Sequence, residues 1–158
     1  MPADDVLLDT NLMVLLVVGT ASPNYIKRHK RLQAYTEKDY RMLVNILPTE
    51  PRRVLVTPNT ITETSNLAGQ IAEPARKRVF ETMRALLGDM DEVYVASRRA
   101  ADHVSFVRLG ITDAALLHSS LNGTLLITAD LDLYLEAARQ GRPVINFNHH
   151  IEANRPSA

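Results

Sequence analysis

The sequence predicts a single α/β domain built on a mainly parallel sheet. Three observations carry that prediction. Short apolar runs alternate with segments of helical period, the order of elements in α/β folds. The runs are unbroken rather than alternately polar, as strands covered by helices on both faces should be. Finally, 158 residues, 46% of them hydrophobic, suffice for one core, and no linker-like stretch divides them. The domain is expected to span residues 1–150, with 151–158 as a C-terminal tail.

Taken in order, the strand candidates are Val6–Leu8, Val54–Thr57, Val93–Ala96, Leu125–Thr128 and Val144–Phe147. The first opens a longer apolar run, "VLLDTNLMVLL" (6–16), interrupted by Asp9 and Asn11. Residues 19–36 are the least regular and read as a long loop or short helix. In "EKDYRMLVNIL", Tyr40, Leu43, Val44 and Leu47 fall at helical spacing, and Pro48 ends the pattern. "TPNTITETSNLAGQIA" offers Thr57 as N-cap and Pro58 at the first helical position. "EPARKRVFETMRALLG" carries Val79, Met83, Leu86 and Leu87 on one face and stops at Gly88. "TDAALLHSSLNG" starts from a Thr112 cap and ends at Asn122-Gly123; "DLYLEAARQG" ends at Gly141, with Pro143 beyond.

Charge and composition exclude little by themselves. Eighteen basic residues balance eighteen acidic ones, so net charge names no partner. The absence of cysteine removes disulfides and thiolate metal sites and fits a reducing cytoplasm. Residues 12–18 are too few to cross a bilayer, and Asp4 and Asp5 stand where a signal peptide would be basic. A soluble chain without membrane contact is expected.

The chemistry lies in the acids. Asp9 follows the first strand and Asp130 the fourth, with Asp132 two residues on. Glu63 lies one turn into the helix after the second strand, sharing a face with Asn59 and Asn66. Asp113 is expected at the start of its helix. In a parallel sheet the strand ends share one rim, where open α/β sheets bind ligands. Carboxylates gathered there repel one another unless a cation compensates them, and Mg²⁺ or Mn²⁺ suits such oxygen donors. Asn11 is expected to orient Asp9. Taken singly, each acid also fits ordinary cap, turn or helix-surface chemistry.

"LLDTN" (7–11), "TPNTITETSNL" with Glu63, "GITDAALL" with Asp113 and "LLITADLDL" with Asp130 and Asp132 resemble, in order and spacing, the motifs of PIN-domain nucleases. The resemblance covers most of the chain. It implies a three-layer α/β/α sandwich and a metal-dependent endoribonuclease, with Asp9, Glu63, Asp113 and Asp130 as the acidic quartet. Asp132 would be an accessory acid, and Asn11 and Thr128 supporting polar groups. Many bacterial members are toxins held by an antitoxin protein, commonly as homodimers. The extra length over compact toxins lies mostly in 20–36 and at the C-terminus.

RNA binding by a neutral chain needs locally gathered cations. Lys27, Arg28, Lys30 and Arg31 are the densest group, flanked by Tyr25 and Tyr35, which can stack on bases or anchor a loop. Arg52-Arg53, Arg76-Lys77-Arg78 and Arg98-Arg99 are smaller clusters. His149 and His150, if on a strand, point to opposite faces, and His118 lies about 140° around its helix from Asp113. Two other functions compete with the nuclease. One is an inactive PIN-like module serving as an RNA-binding or scaffold domain. The other is a phosphatase of the haloacid dehalogenase type, which needs a second Asp where this chain has Asn11.

Overall fold

A computed structural model describes residues 5–120 and 123–155. Five strands, β1 (Val6–Leu8), β2 (Val54–Val56), β3 (Asp91–Glu92), β4 (Leu125–Thr128) and β5 (Val144–Asn146), form one all-parallel sheet in the order β3-β2-β1-β4-β5. The nine α-helices among the described residues are α1 (Thr10–Ala21), α2 (Glu37–Ile46), α3 (Pro58–Ala68), α4 (Ala75–Asp89), α5 (Ser97–Ala101), α6 (Phe106–Leu109), α7 (Ile111–Ser119), α8 (Leu131–Arg139) and α9 (Phe147–Ala153).

Side-chain alternation along β1 divides the core. Val6 and Leu8 join a cluster with residues of α1, α2, α4 and α9 on one face. Leu7 joins Leu116, Leu117, Leu126, Leu133 and Ala137, from α7, β4 and α8, on the other. The result is the expected three-layer sandwich. Among the described residues, no helix is long and apolar enough to cross a membrane.

Four strands and the α2, α3, α4 and α8 patterns fall where the sequence puts them, within a residue or two. Thr57 caps α3 and accepts from Thr60 N, with Pro58 opening the helix. Four expectations need correction. The apolar run after Asp9 is not extended but helical: α1 is buried at Leu12–Gly19 and again at Ala21. A helix apolar on every side shows no 3.6-residue stripe, and it is stable because its surroundings cover every side. Gly19 belongs to that covering, since a Cβ there would meet the Tyr40 ring at 2.3 Å.

The third strand is Asp91–Glu92, not Val93–Ala96. As an exposed edge strand paired with β2 alone it needs no apolar face. Gly110, not Thr112, caps α7; of the proposed stop, Asn122 lies outside the described residues. The region from Val144 onward is strand only to Asn146, which then caps α9 by accepting from His149 N. That helix crosses residue 150 and buries Ile151, so the packed unit extends past the expected boundary. His149 and His150 lie on this helix rather than on a strand.

Candidate active site

The chain steps from β1 to β2 to β3 on one side and then crosses back to place β4 on the other side of β1. The carboxyl ends of β1 and β4 therefore flank the point where strand order reverses, the place where open α/β sheets leave a crevice. Asp9 leaves β1 there and Asp130 leaves β4.

Asp9 is 4% exposed and closely held. As N-cap of α1 its Oδ1 accepts from Leu12 N at 3.0 Å. Its Oδ2 accepts from Thr128 Oγ1 at 2.5 Å and from Ala129 N at 2.8 Å. Both of those donors come from the end of β4, so Asp9 ties the two central strands together at the crevice. Burial pushes its carboxyl above the ordinary value, against these hydrogen bonds, and the Asp130 charge adds to the rise. Thr128, expected as a supporting polar group, is thus hydrogen-bonded to Asp9. Asn11, expected to orient Asp9, is exposed, and the groups donating to Asp9 are Leu12, Thr128 and Ala129.

Asp130 caps α8, accepting from Leu133 N at 2.9 Å, and its own N–H donates to Thr128 Oγ1 at 2.9 Å. Asp132 is exposed in the first turn of α8. Glu63 extends from α3 to meet two threonines that adjoin the other acids in sequence. Thr112 Oγ1 donates to Oε1 at 2.7 Å and Thr10 Oγ1 to Oε2 at 3.1 Å. A cleft of about 290 Å³ opens beside it, lined by Pro58, Asn59, Thr62, Glu63, Ile111 and Thr112.

Asp113, one turn into α7, shows how closely the acids gather. Its carboxyl is pushed up to about 7, first by burial and then by the charges of Asp130, Asp9 and Glu63. Gly110 sets this helix start: at φ +89° it takes a conformation side-chain-bearing residues rarely adopt, turning the chain sharply from α6 into α7. The structure thus brings Asp9, Glu63, Asp113 and Asp130 to one rim, with Asp132 at its edge.

Whether a cation suits this rim turns on its donors. Among the described residues no three acidic or histidine side chains stand ready-made as a ligand cage. The donors are nonetheless all hard carboxylate oxygens, as Mg²⁺ and Mn²⁺ require, and among the described residues no Lys or Arg bonds to any of the four acids. Of the lone pairs a carboxylate offers, roughly four, Asp9 commits three, and the one left over is on Oδ1. The residues fit a hard divalent cation bound partly through water.

Thr10 and Thr112 join this rim with no signal in the sequence beyond adjoining an acid ("DT" at 9–10, "TD" at 112–113). Tyr35 also belongs here. Burial and the charges of Asp9 and Asp39 raise its phenol to about 12, so it stays protonated. His118 sits elsewhere, near His103, whose imidazole is held below its ordinary value first by burial and then by the neighbouring Arg142 and His118.

The basic run Lys27, Arg28, Lys30 and Arg31 is exposed and forms no ion pair among the described residues. It is anchored beneath by His29, fully buried, whose Nε2 bonds the Ala68 carbonyl at 3.0 Å. His29 Nδ1 accepts from Arg31 N, and Arg31 Nε donates to Gln70 Oε1. This docks the run on the far end of α3, five residues or about 8 Å along the axis from Glu63.

Comparison with protein-family models, with curated proteins and with solved structures returned no match.

Proposed function

We propose that this protein is a metal-dependent endoribonuclease of the PIN-like kind, using Mg²⁺ or Mn²⁺ to hydrolyse RNA phosphodiester bonds. One feature carries the reading: Asp9, Glu63, Asp113 and Asp130, from four elements, lie near enough at the switch-point rim for the other three to raise Asp113, and among the described residues no Lys or Arg pairs with them. Holding such a group ionised at neutral pH is costly, and a divalent cation is the compensation that also offers chemistry.

When bound, such a cation supplies a water of lowered pKa and neutralises charge developing at phosphorus. The protein's part is positional. Thr128, Ala129 and Leu12 fix the Asp9 carboxylate, Thr10 and Thr112 hold Glu63, and Asp130 is fixed as a helix cap. Asp113 remains uncompensated, and Asp132 stands outside the rim as an accessory acid. Lys27, Arg28, Lys30 and Arg31, docked on the helix that bears Glu63, are the phosphate contacts of this reading. A cytoplasmic location belongs to this reading as well. A toxin role, an antitoxin partner and a homodimer belong to the same proposal through the family resemblance.

A second reading, an inactive RNA-binding or scaffold module, draws on the inward commitment of Asp9 and the lack of a ready-made cage. The two readings part on one experiment. The purified protein is incubated with single-stranded RNA in Mg²⁺, Mn²⁺ or EDTA, beside the Asp9→Asn variant. Cleavage that needs metal and Asp9 supports the nuclease; equal cleavage by both proteins, or none by either, rejects it.

A further inference from the structure

We propose that single-stranded RNA is held on a face made by two segments far apart in the chain, 25–31 and 76–84, through two guanidinium groups held over aromatic rings. Arg28 lies over Tyr25, its Cζ 5.3 Å from the ring centroid, and Arg76 lies over Phe80 at 4.6 Å. Both arginines are exposed, and neither has a carboxylate partner among the described residues. The two pairs border adjoining grooves. One, of about 350 Å³, is lined by Tyr25, Pro74, Lys77, Arg78 and Glu81. The other, of about 480 Å³, runs along α4 past Arg76, Phe80 and Arg84 and shares Lys77 and Glu81 with the first.

The folding that joins them is specific. Arg78 Nε donates to the Ala21 carbonyl at 2.9 Å, drawing α4 against the chain that leads into Tyr25. Phe80 lies against Gly69, where a Cβ would meet the ring at 3.0 Å, so the ring supporting Arg76 has little room to swing. Arg76, Lys77, Arg78 and Arg84 line these grooves with Glu73 and Glu81, and Arg28 joins them over Tyr25. A chain of zero net charge therefore carries a local excess of cations here.

The ligand follows from the guanidinium geometry. A guanidinium held over an aromatic ring keeps its outer face for a base and its edge for phosphate oxygens. An acidic peptide would use the edge but has no base to stack. Single-stranded RNA uses both. The choice of RNA rests on the nuclease reading.

The test is an anisotropy titration of a short single-stranded RNA in Ca²⁺ across a range of salt, with the matching duplex and poly-glutamate as competitors. Arg28→Gln with Arg76→Gln should weaken binding about tenfold and flatten the slope of log K against log salt by about 1.4, at roughly 0.7 per phosphate. Tyr25→Leu with Phe80→Leu should weaken binding to a similar degree, about tenfold, at unchanged slope, because no charge is removed. Arg98→Gln with Arg99→Gln, which removes equal charge from α5, should change neither. The exposed arginine pair tests the proposal even if the aromatic pair disturbs packing. An unchanged slope in that pair, the same loss at Arg98 and Arg99, or poly-glutamate displacing RNA as well as RNA displaces itself would overturn it, the last pointing to an acidic protein partner. The measurement does not depend on cleavage. Metal-independent cutting by Asp9→Asn would sink the nuclease reading while leaving the face; a flat result here would remove the face while leaving the rim chemistry.

Discussion

Two carboxylate environments in this molecule solve the same physical problem in opposite ways. Glu136, on α8, is 7% exposed and surrounded by donors. Arg108 bonds its Oε2 at 2.7 Å, Arg139 pairs with both oxygens, and Ser105 Oγ and Gln140 Nε2 donate to Oε1 at 2.9 and 2.7 Å. Led by the Arg139 bonds, these contacts hold its carboxyl well below the ordinary range despite burial. At the rim, the start of the same helix, Asp130 joins Asp9, Glu63 and Asp113, and hydroxyls and backbone N–H groups are the donors there. The fold can supply arginine to a buried carboxylate and does so six residues away. Among the described residues no arginine does the same at the rim, and the proposed cation rests on that contrast.

The largest effect that could break this comparison is on cleavage. Asp9→Asn is nearly isosteric and keeps an acceptor for Leu12 N, so the fold should survive while RNA cleavage falls by at least about 10³-fold, of the order seen on removing a key electrostatic group. Thermal unfolding in EDTA should fall only modestly, because the amide no longer accepts from Ala129 N but one of the mutually repelling charges is gone. Wild-type cleavage rates in the folded variant would remove the contrast altogether.

Acidity distinguishes the two regions next. The Asp113 carboxyl rises from 3.8 to about 7 on folding, so the folded state binds its proton more tightly than the unfolded chain does. Its contribution to stability accordingly falls as pH rises from about 4 to about 7, and levels off above. Glu136 has the opposite sign: its lowered value favours the fold above the ordinary glutamate range, a contribution lost as pH drops below about 4. Metal-free protein should therefore be less stable at pH 8 than at pH 5, by roughly 2 kcal/mol. The full shift would give more at about 1.4 kcal/mol per unit, but the neighbouring acids titrate with Asp113 and share the effect. Urea unfolding in EDTA measures the gap. Asp113→Asn should shrink it, and Mn²⁺ should close it by stabilising the ionised state. A gap unaffected by Asp113→Asn would show that repulsion at the rim is weak.

How much of this was legible in the sequence depends on whether the signal was local. Asp9 and Asp130 could be placed because each follows a strand directly, and parallel strands end on one rim whatever their order. That β1 and β4 are the two flanking the reversal was not legible, because strand order is a property of long-range pairing. The fully apolar α1 concealed its helix for the reason that makes it central: cover on every side erases periodicity. Thr112 was read as a cap because Thr before Asp is typical cap chemistry, whereas Gly110 takes that place and Thr112 turns its hydroxyl to Glu63. Glu136 escaped notice altogether. Its partners Ser105 and Arg108 lie about thirty residues back in the chain, and only folding brings them together.

Removing the carboxylate itself should have opposite consequences in the two regions. Glu136→Gln keeps volume but loses the charge facing two guanidiniums and turns two acceptors into one. Both arginines are more than half exposed (54% and 64%), so water screens much of the pairing. The cost should be about 1–2 kcal/mol in urea unfolding rather than the 3–5 typical of a fully buried pair. Asp113→Asn under the same conditions should cost nothing or gain slightly, because it removes a charge repelled by Asp130, Asp9 and Glu63 and, among the described residues, breaks no side-chain hydrogen bond. Equal destabilisation by both substitutions would mean the rim is as well compensated as Glu136, and the case for a cation would weaken with it.

The smallest effect separates the two arginines at Glu136. Arg139 lies on the same helix, three residues on, and joins nothing that the helix has not already joined. Arg108 comes from α6 and ties that short helix to α8. Backbone bonds carry the tie onward: Gly110 N donates to the Phe106 carbonyl at 2.7 Å, and Ala114 N to the Gly110 carbonyl at 3.1 Å. The strut thus runs from α8, which begins at Asp130, to the turn that launches α7 and Asp113. Arg108→Met should cost under about 1 kcal/mol of stability, as exposed ion pairs do, and Arg139→Met should leave stability little changed. Their effects on Mn²⁺ binding to the rim should differ. Groups that orient ligands from behind are worth roughly tenfold or more in affinity, and a screened strut acting through a helix should be worth a few-fold. Mn²⁺ titration followed by electron paramagnetic resonance, well below the unfolding temperature, should show weaker binding for Arg108→Met and wild-type binding for Arg139→Met, with cleavage by both recovered at saturating Mn²⁺. Equal affinities in the two variants would confine Glu136 to holding the fold together, with no influence on the spacing of Asp113 and Asp130.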